Sequence, residues 1–162
     1  MQKIKIHYRE NVTSADQHHV REIVSSSGFF SQDEINIAME LVVERLKKGP
    51  ESGYYFLFAE IEDRVVGYSC FGPIPATLYS YDLYWIVVHP NWQGKGIGHR
   101  LLVASEEVIK NLGGQHVYIE TAGRDQYKPT RAFYISCGYA EEARLEDFYA
   151  PGDAKHIYVK HV

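Results

Sequence analysis

Residues 87–102 read VVHPNWQGKGIGHRLL. An apolar run enters this stretch, glycines stand at Gly94, Gly96 and Gly98, and a helix-like pattern leaves it. Glycine costs about 1 kcal/mol relative to alanine inside a helix, so three of them at a helix start serve either a turn or a ligand. A phosphate loop of the form G-x-x-x-x-G-K-[ST] is absent. The dinucleotide fingerprint G-x-G-x-x-G is not met by G-x-G-x-G either. Its distant acidic partner is missing too, because the chain near Asn111 to Gly114 still follows the helix. Two readings remain for Gln93, Gly96 and Gly98, which fit Q-x-x-G-x-G. One is a glycine-lined turn without a ligand. The other is a pyrophosphate cradle. The first N–H groups of a helix lack intrahelical acceptors, the dipole favours an anion there, and glycine removes side chains that would block it.

Reading outward, Lys3 to Tyr8 alternates as a first strand and Ser14 to Ser26 is a weakly periodic helix ended by Gly28. Ser31 and Glu34 fit a capping box, with Phe30 and Ile35 at the flanking staple positions. The helix that follows places Ile35, Ala38, Met39, Val42 and Leu46 on one face and stops at Gly49-Pro50. Tyr54 to Ile61 and Val65 to Phe71 form a hairpin around Glu62 to Arg64. Leu83 to Val88 reads as a central strand buried on both faces. The helix after the glycines stripes Ile97, Leu101, Ala104, Val108 and Leu112, and Gly113-Gly114 closes it. His116 to Thr121 is a strand, Pro129 opens a helix that ends near Gly138, and strands Tyr139 to Phe148 and His156 to His161 turn at Ala150 to Asp153. The order β-α-α-β-β-β-α-β-α-β-β predicts an α/β chain with a mixed central sheet of about six to seven strands and helices on both faces.

The totals agree with one domain over residues 1–162. The chain has 162 residues, 45% of them hydrophobic and 23% charged, enough for a sizeable core. A net charge of −4 argues against a nucleic-acid partner, which selects basic chains. No apolar run reaches the ~20 residues of a membrane span, and the first ten residues lack the shape of a signal peptide. The expectation is a cytoplasmic protein with no membrane partner and no metal. Cys70 and Cys137 are expected to be buried, reduced thiols.

The Q-x-x-G-x-G loop after "LYWIVVHP" and before "IGHRLL" resembles the central motif of the GNAT superfamily of acetyl-CoA-dependent N-acyltransferases. Further on, "YKPTRAFYISCGY" (Tyr127 to Tyr139) is similar to that family's A-x-x-Y-x-x-x-G-[FY] helix. The element order matches over essentially the whole chain, the first part in pattern only. The resemblance implies a GNAT-like fold and direct N-acetyl transfer from acetyl-CoA to a primary amine, on a small molecule or a peptide, through a tetrahedral intermediate. It gives residues roles. The backbone of Ile86, Val87 and Val88 holds the pantetheine arm as an added strand. Gln93, Gly94, Lys95, Gly96, Ile97, Gly98 and His99 form the pyrophosphate loop, with Lys95 and Arg100 as candidate phosphate-screening cations. Tyr127 stands where many members carry an asparagine that contacts the cofactor.

The same resemblance places Tyr134 as general acid. A thiol of pKa ~8.5 and a phenol of ~10 can exchange a proton when aligned, and a strand N–H, taken as that of Val88, would stabilise the oxyanion. Asp82 and Glu120 are both candidates for the base, directly or through water. No cysteine intermediate is expected, because no histidine neighbours Cys137 in sequence. Phe29, Phe30, Tyr79, Tyr81 and Tyr149 are aromatic candidates for the acceptor site. The alternative is a non-catalytic acyl-CoA-binding module, which needs the loop and neither Tyr134 nor a carboxylate. A nicotinamide-dependent oxidoreductase is a third reading. An exposed late strand pairing across a homodimer is a further expectation.

Overall fold

The computed structural model describes residues 2–162. Seven strands form one sheet in the order β1-β2-β3-β4-β5-β7-β6. They are β1 (His7–Arg9), β2 (Tyr55–Ile61), β3 (Arg64–Pro73), β4 (Ser80–Val88), β5 (His116–Ala122), β6 (Ala140–Ala150) and β7 (Asp153–His161). The helices are α1 (Asp16–Ser26), α2 (Gln32–Lys48), α3 (Ile97–Asn111) and α4 (Lys128–Ser136). The mixed sheet expected from the sequence is present, and β4 with β5 is its parallel pair. The first strand is shorter than the alternation from Lys3 suggested, because only His7 to Arg9 find partners on β2.

Alternation along the central strands sorts the core into two layers. Phe56 and Phe58 of β2 and Tyr68 and Cys70 of β3 meet Val20, Ile23 and Val24 of α1 and Ala38 and Val42 of α2. Leu57, Ala59 and Ile61 point the other way, into the layer of Ile97, Leu101, Leu102 and Ile109 on α3 and Tyr134 on α4. Phe56, Phe58 and Tyr68 stack with ring centroids 5.8–6.2 Å apart. Burying each such ring stabilises the fold by about 1.5–3 kcal/mol relative to leaving it exposed.

Local chemistry fixes the connections. The α2 capping box forms as read: Ser31 Oγ accepts the Glu34 N–H at 3.2 Å and Glu34 Oε1 accepts the Ser31 N–H at 3.1 Å. The β2–β3 hairpin turns on Glu62 and Asp63, both left-handed at φ 50° and 64°, between paired Ile61 and Arg64. That two-residue geometry matches the twist of the flanking strands. Pro151-Gly152 turns β6 into β7 between paired Ala150 and Asp153.

Two expectations are corrected. The buried stripe of α3 runs through Ile97, Leu101, Leu102, Ser105, Glu106 and Ile109, while Leu112 is exposed. Polar side chains occupy that stripe because each is partnered. Ser105 bonds Ser69 at 2.6 Å, and Glu106 accepts from Tyr139 Oη at 2.8 Å and Lys160 Nζ at 2.9 Å. The second correction is β4, which is not buried on both faces. Tyr84 is exposed, and Trp85, Ile86 and Val88 are only half-buried. The cause is a bulge. Cys70 of β3 pairs with Trp85 and Phe71 with Leu83, which leaves Tyr84 unmatched. A bulge adds twist and re-aims the strand. Side chains facing α3 accordingly switch from Tyr81 and Leu83 before it to Ile86 and Val88 after it.

Candidate active site

The bulge opens a cleft. Strands β4 and β5 pair only from Ser80↔His116 to Asp82↔Tyr118 and separate beyond that point. The β3 ladder then decides which backbone groups of β4 face the gap. His89 N–H bonds Val66 C=O at 2.8 Å while Gly67 lies opposite Val88, so Val88 occupies a non-hydrogen-bonded position. By the same alternation, Val87 spends its backbone groups on β3, and Ile86 and Val88 turn theirs toward the gap. The Val88 carbonyl is taken by Gln93 Nε2 at 3.0 Å. Gln93 thus ties the loop to the strand end.

The cleft encloses about 820 Å³. Ile86, Val87, Val88 and Gln93 line one side, and Glu120, Tyr127 and Tyr134 line the other. A second cavity of about 400 Å³ shares Val88 and Gln93 with it and continues along Gly94, Gly96, Ile97, Gly98 and His99. Gly94 and Gly96 have φ of 74° and 77°, a left-handed conformation that favours glycine. A Cβ at either would meet no protein atom within 4 Å. It would instead project into open space beside the loop. Among the described residues, the N–H groups of Gly94 through His99 find no acceptor in the chain; Arg100 N–H is the first to reach one, Gly96 C=O at 3.2 Å. Six successive free donors at a helix start form a nest for an anion.

The two candidate cations of this loop differ in position. Lys95 is exposed and lines neither cavity. Arg100 points back to the N-terminal segment, donating to Ile4 C=O at 2.6 Å. Backbone N–H groups and the α3 dipole give the loop positive character of their own.

Tyr134 sits in the last turn of α4, whose entry Pro129 fixes. Its ring packs between Phe133, Tyr139 and Tyr158 at centroid distances of 5.5, 6.1 and 6.4 Å. Burial pushes its hydroxyl well above the ordinary phenol range, so it stays protonated at neutral pH. Nearby, Thr121 Oγ1 is buried without a hydrogen-bond partner. An orphaned hydroxyl on the wall of a cleft is a place for a ligand's polar atom.

The two carboxylates differ in position. Glu120 lines the cleft and carries an ion pair with Lys155, Oε2 to Nζ 2.8 Å. Asp82, on the neighbouring strand β4, does not line the cleft. Burial and the neighbouring charge of Glu120 raise its pKa, while Lys155 opposes them.

Of the aromatic acceptor candidates, Phe29, Phe30 and Tyr149 line the cleft. Tyr81 is a core residue and Tyr79 is exposed away from the cleft. Sequence reasoning missed Tyr84 and Trp85, whose aromatic character had read as burial. It also missed that His99, already assigned to the loop, sets its Nδ1 3.3 Å from Cys137 Sγ. The two are 38 positions apart, so no sequence neighbourhood could show it. Burial pushes the Cys137 thiol up, and it lines neither cavity. Both cysteines are buried and free, as expected.

A splayed parallel pair, a bulge at the split and a donor-rich glycine loop at its end agree with what comparison finds. The description "Acetyltransferase (GNAT) family" matches residues 19–139. The chain belongs to the GNAT family of acetyltransferases. A GNAT-family protein from Desulfovibrio desulfuricans is 43% identical, with a TM-score of 0.95 over 97% of this chain and 99% of that one. An aminoglycoside 6'-N-acetyltransferase complexed with coenzyme A shares the fold at 16% identity and TM-score 0.75, covering 97% and 96% of the two chains. The ribosomal-protein-S18-alanine N-acetyltransferase from Escherichia coli does so at 16% and 0.75, covering 98% and 94%. Among curated proteins none matches this GNAT chain. No helix of the described residues is long and apolar enough to cross a membrane.

Proposed function

We propose that this GNAT protein moves an acetyl group from acetyl-CoA directly to a primary amine. The observation that carries the reading is the continuity of the two cavities. The cleft at the β4–β5 split meets the donor-rich loop at Val88 and Gln93, and Tyr134 stands on the cleft wall. The residues fit coenzyme A. Ile86 and Val88 offer strand backbone to its amide-bearing arm, and the N–H groups from Gly94 to His99 offer a nest to its pyrophosphate. Acetyl-CoA would supply an activated acyl carbonyl and a thiolate leaving group.

The chain's residues supply the rest. Glu120 takes the proton that an arriving ammonium must lose, directly or through a water, with Asp82 as the reserve on the neighbouring strand. Of the two β4 N–H groups that face the gap, that of Ile86 lies farther from the loop and donates to the carbonyl oxygen as charge develops there, leaving that of Val88 to the arm. Tyr134, a phenol protonated at neutral pH, delivers its proton to the departing sulfur. The chemistry needs no metal and no covalent enzyme intermediate.

Incubation of the protein with acetyl-CoA and primary amines, followed by mass analysis, tests this. The expected result is N-acetyl amine formed in step with free CoA. Tight CoA binding with acetyl-CoA left intact by every amine would mean a binding module instead.

A further inference from the structure

The cleft also carries information about the acceptor, given the transfer reading above. Its far wall is aromatic. Tyr127, Phe29, Phe30 and Trp85 form a chain of ring contacts, with successive centroids 4.9, 5.1 and 5.1 Å apart. Tyr84 and Tyr149 line the same cleft. The chain runs from the turn before α4 through the α1–α2 connection to β4, so three separate elements converge to build one apolar wall.

The charged side chains lining the cleft are few: Glu34, Glu120 and Arg124. Glu120 is held by Lys155 at 2.8 Å. Glu34 accepts the Ser31 N–H in the α2 capping box. Arg124 Nε reaches Asp153 at 3.3 Å, and its guanidinium lies 5.1 Å from the Tyr127 ring centroid. A polycation entering this cleft would bring several ammonium groups and find one carboxylate at the reacting end. Each unpaired charge would lose its hydration without compensation. An amino acid would bring a carboxylate and find its only lining cation, Arg124, already paired. Aromatic rings suit the opposite kind of molecule, because they shelter an apolar body and attract a single ammonium by their faces.

We propose that the acceptor is a primary amine with one positive charge and an aromatic or bulky apolar body. The ammonium lies toward Glu120, and the body lies against Phe29, Phe30 and Trp85.

The test compares kcat/KM for thiol release from acetyl-CoA across 2-phenylethylamine, isoamylamine, spermidine, kanamycin, methionine and an alanine-initiated peptide. The two apolar monoamines are expected to lead by roughly tenfold or more. Phe29→Ala should raise KM for 2-phenylethylamine by about tenfold and change kcat far less. A lead for spermidine, kanamycin, methionine or the peptide would overturn the acceptor assignment while leaving amine acetylation standing. An unchanged KM in Phe29→Ala, in a variant that melts like the parent, would overturn the aromatic wall. Silence with all six amines, despite measurable acetyl-CoA binding, would overturn the transfer reading and this inference with it.

Discussion

Lys155 on β7 reaches Glu120 on β5 diagonally across an antiparallel pair, Nζ to Oε2 2.8 Å, at the edge of the cleft. The pair sets Glu120 in place where an ammonium would arrive, and Asp82 stands on the neighbouring strand β4. Glu120→Gln is expected to lower turnover at neutral pH by about 10²–10³-fold with acetyl-CoA affinity retained. The loss should shrink at alkaline pH, where the amine arrives already deprotonated. Asp82→Asn should cost less than about tenfold, and steady-state pH profiles of both variants decide. A larger loss in Asp82→Asn would exchange their roles.

The loop is equally open to test. Gly96 has φ 77° and a Cβ there would enter the space beside the free N–H groups. Gly96→Leu adds strain of about 1–2 kcal/mol in that conformation and fills the cradle. Calorimetry should show acetyl-CoA affinity weakened by about a hundredfold or more, in a protein that keeps its helical circular dichroism. Unchanged affinity would remove the loop from the binding site.

Stability rests partly on a pair far from the cleft. Arg9 of β1 grips fully buried Asp16 of α1 through two bonds of 2.9 Å, and Asp16 also accepts the Thr13 N–H at 2.8 Å. Burial alone would raise the Asp16 pKa, but Arg9, His19 and Thr13 outweigh it and hold the carboxyl below its ordinary value. A depressed folded pKa means stability is complete above the unfolded value of about 3.9 and is lost as pH falls through the folded one. Asp16→Asn is expected to cost about 3 kcal/mol at neutral pH and to flatten the decline below pH ~4. Denaturant melts at several pH values check both.

Much of this was legible in the sequence. Strand and helix order came from periodicity, the α2 start from Ser31 and Glu34, and the turn at the head of α3 from the glycine spacing. Each is local chemistry, set within a few residues. The parts that escaped depend on tertiary geometry. Tyr84 and Trp85 lie in a run indistinguishable from a buried strand, because an aromatic cleft wall and an aromatic core have the same composition. Only the bulge opposite Cys70 and Phe71 separates them. Ser105 and Glu106 upset the α3 stripe because their partners are on β3, β7 and the turn after α4. The orientation of Arg100 and the approach of His99 to Cys137 likewise come from contacts distant in sequence.

The central claim is that Tyr134 hands a proton to the leaving thiolate in an amine acetyltransferase. The direct measurement is turnover and acetyl-CoA affinity of Tyr134→Phe, side by side with the parent protein and its best amine. The expected result is a fall in kcat of about 10²–10⁴-fold with affinity unchanged. Undiminished kcat in the phenylalanine variant would contradict it.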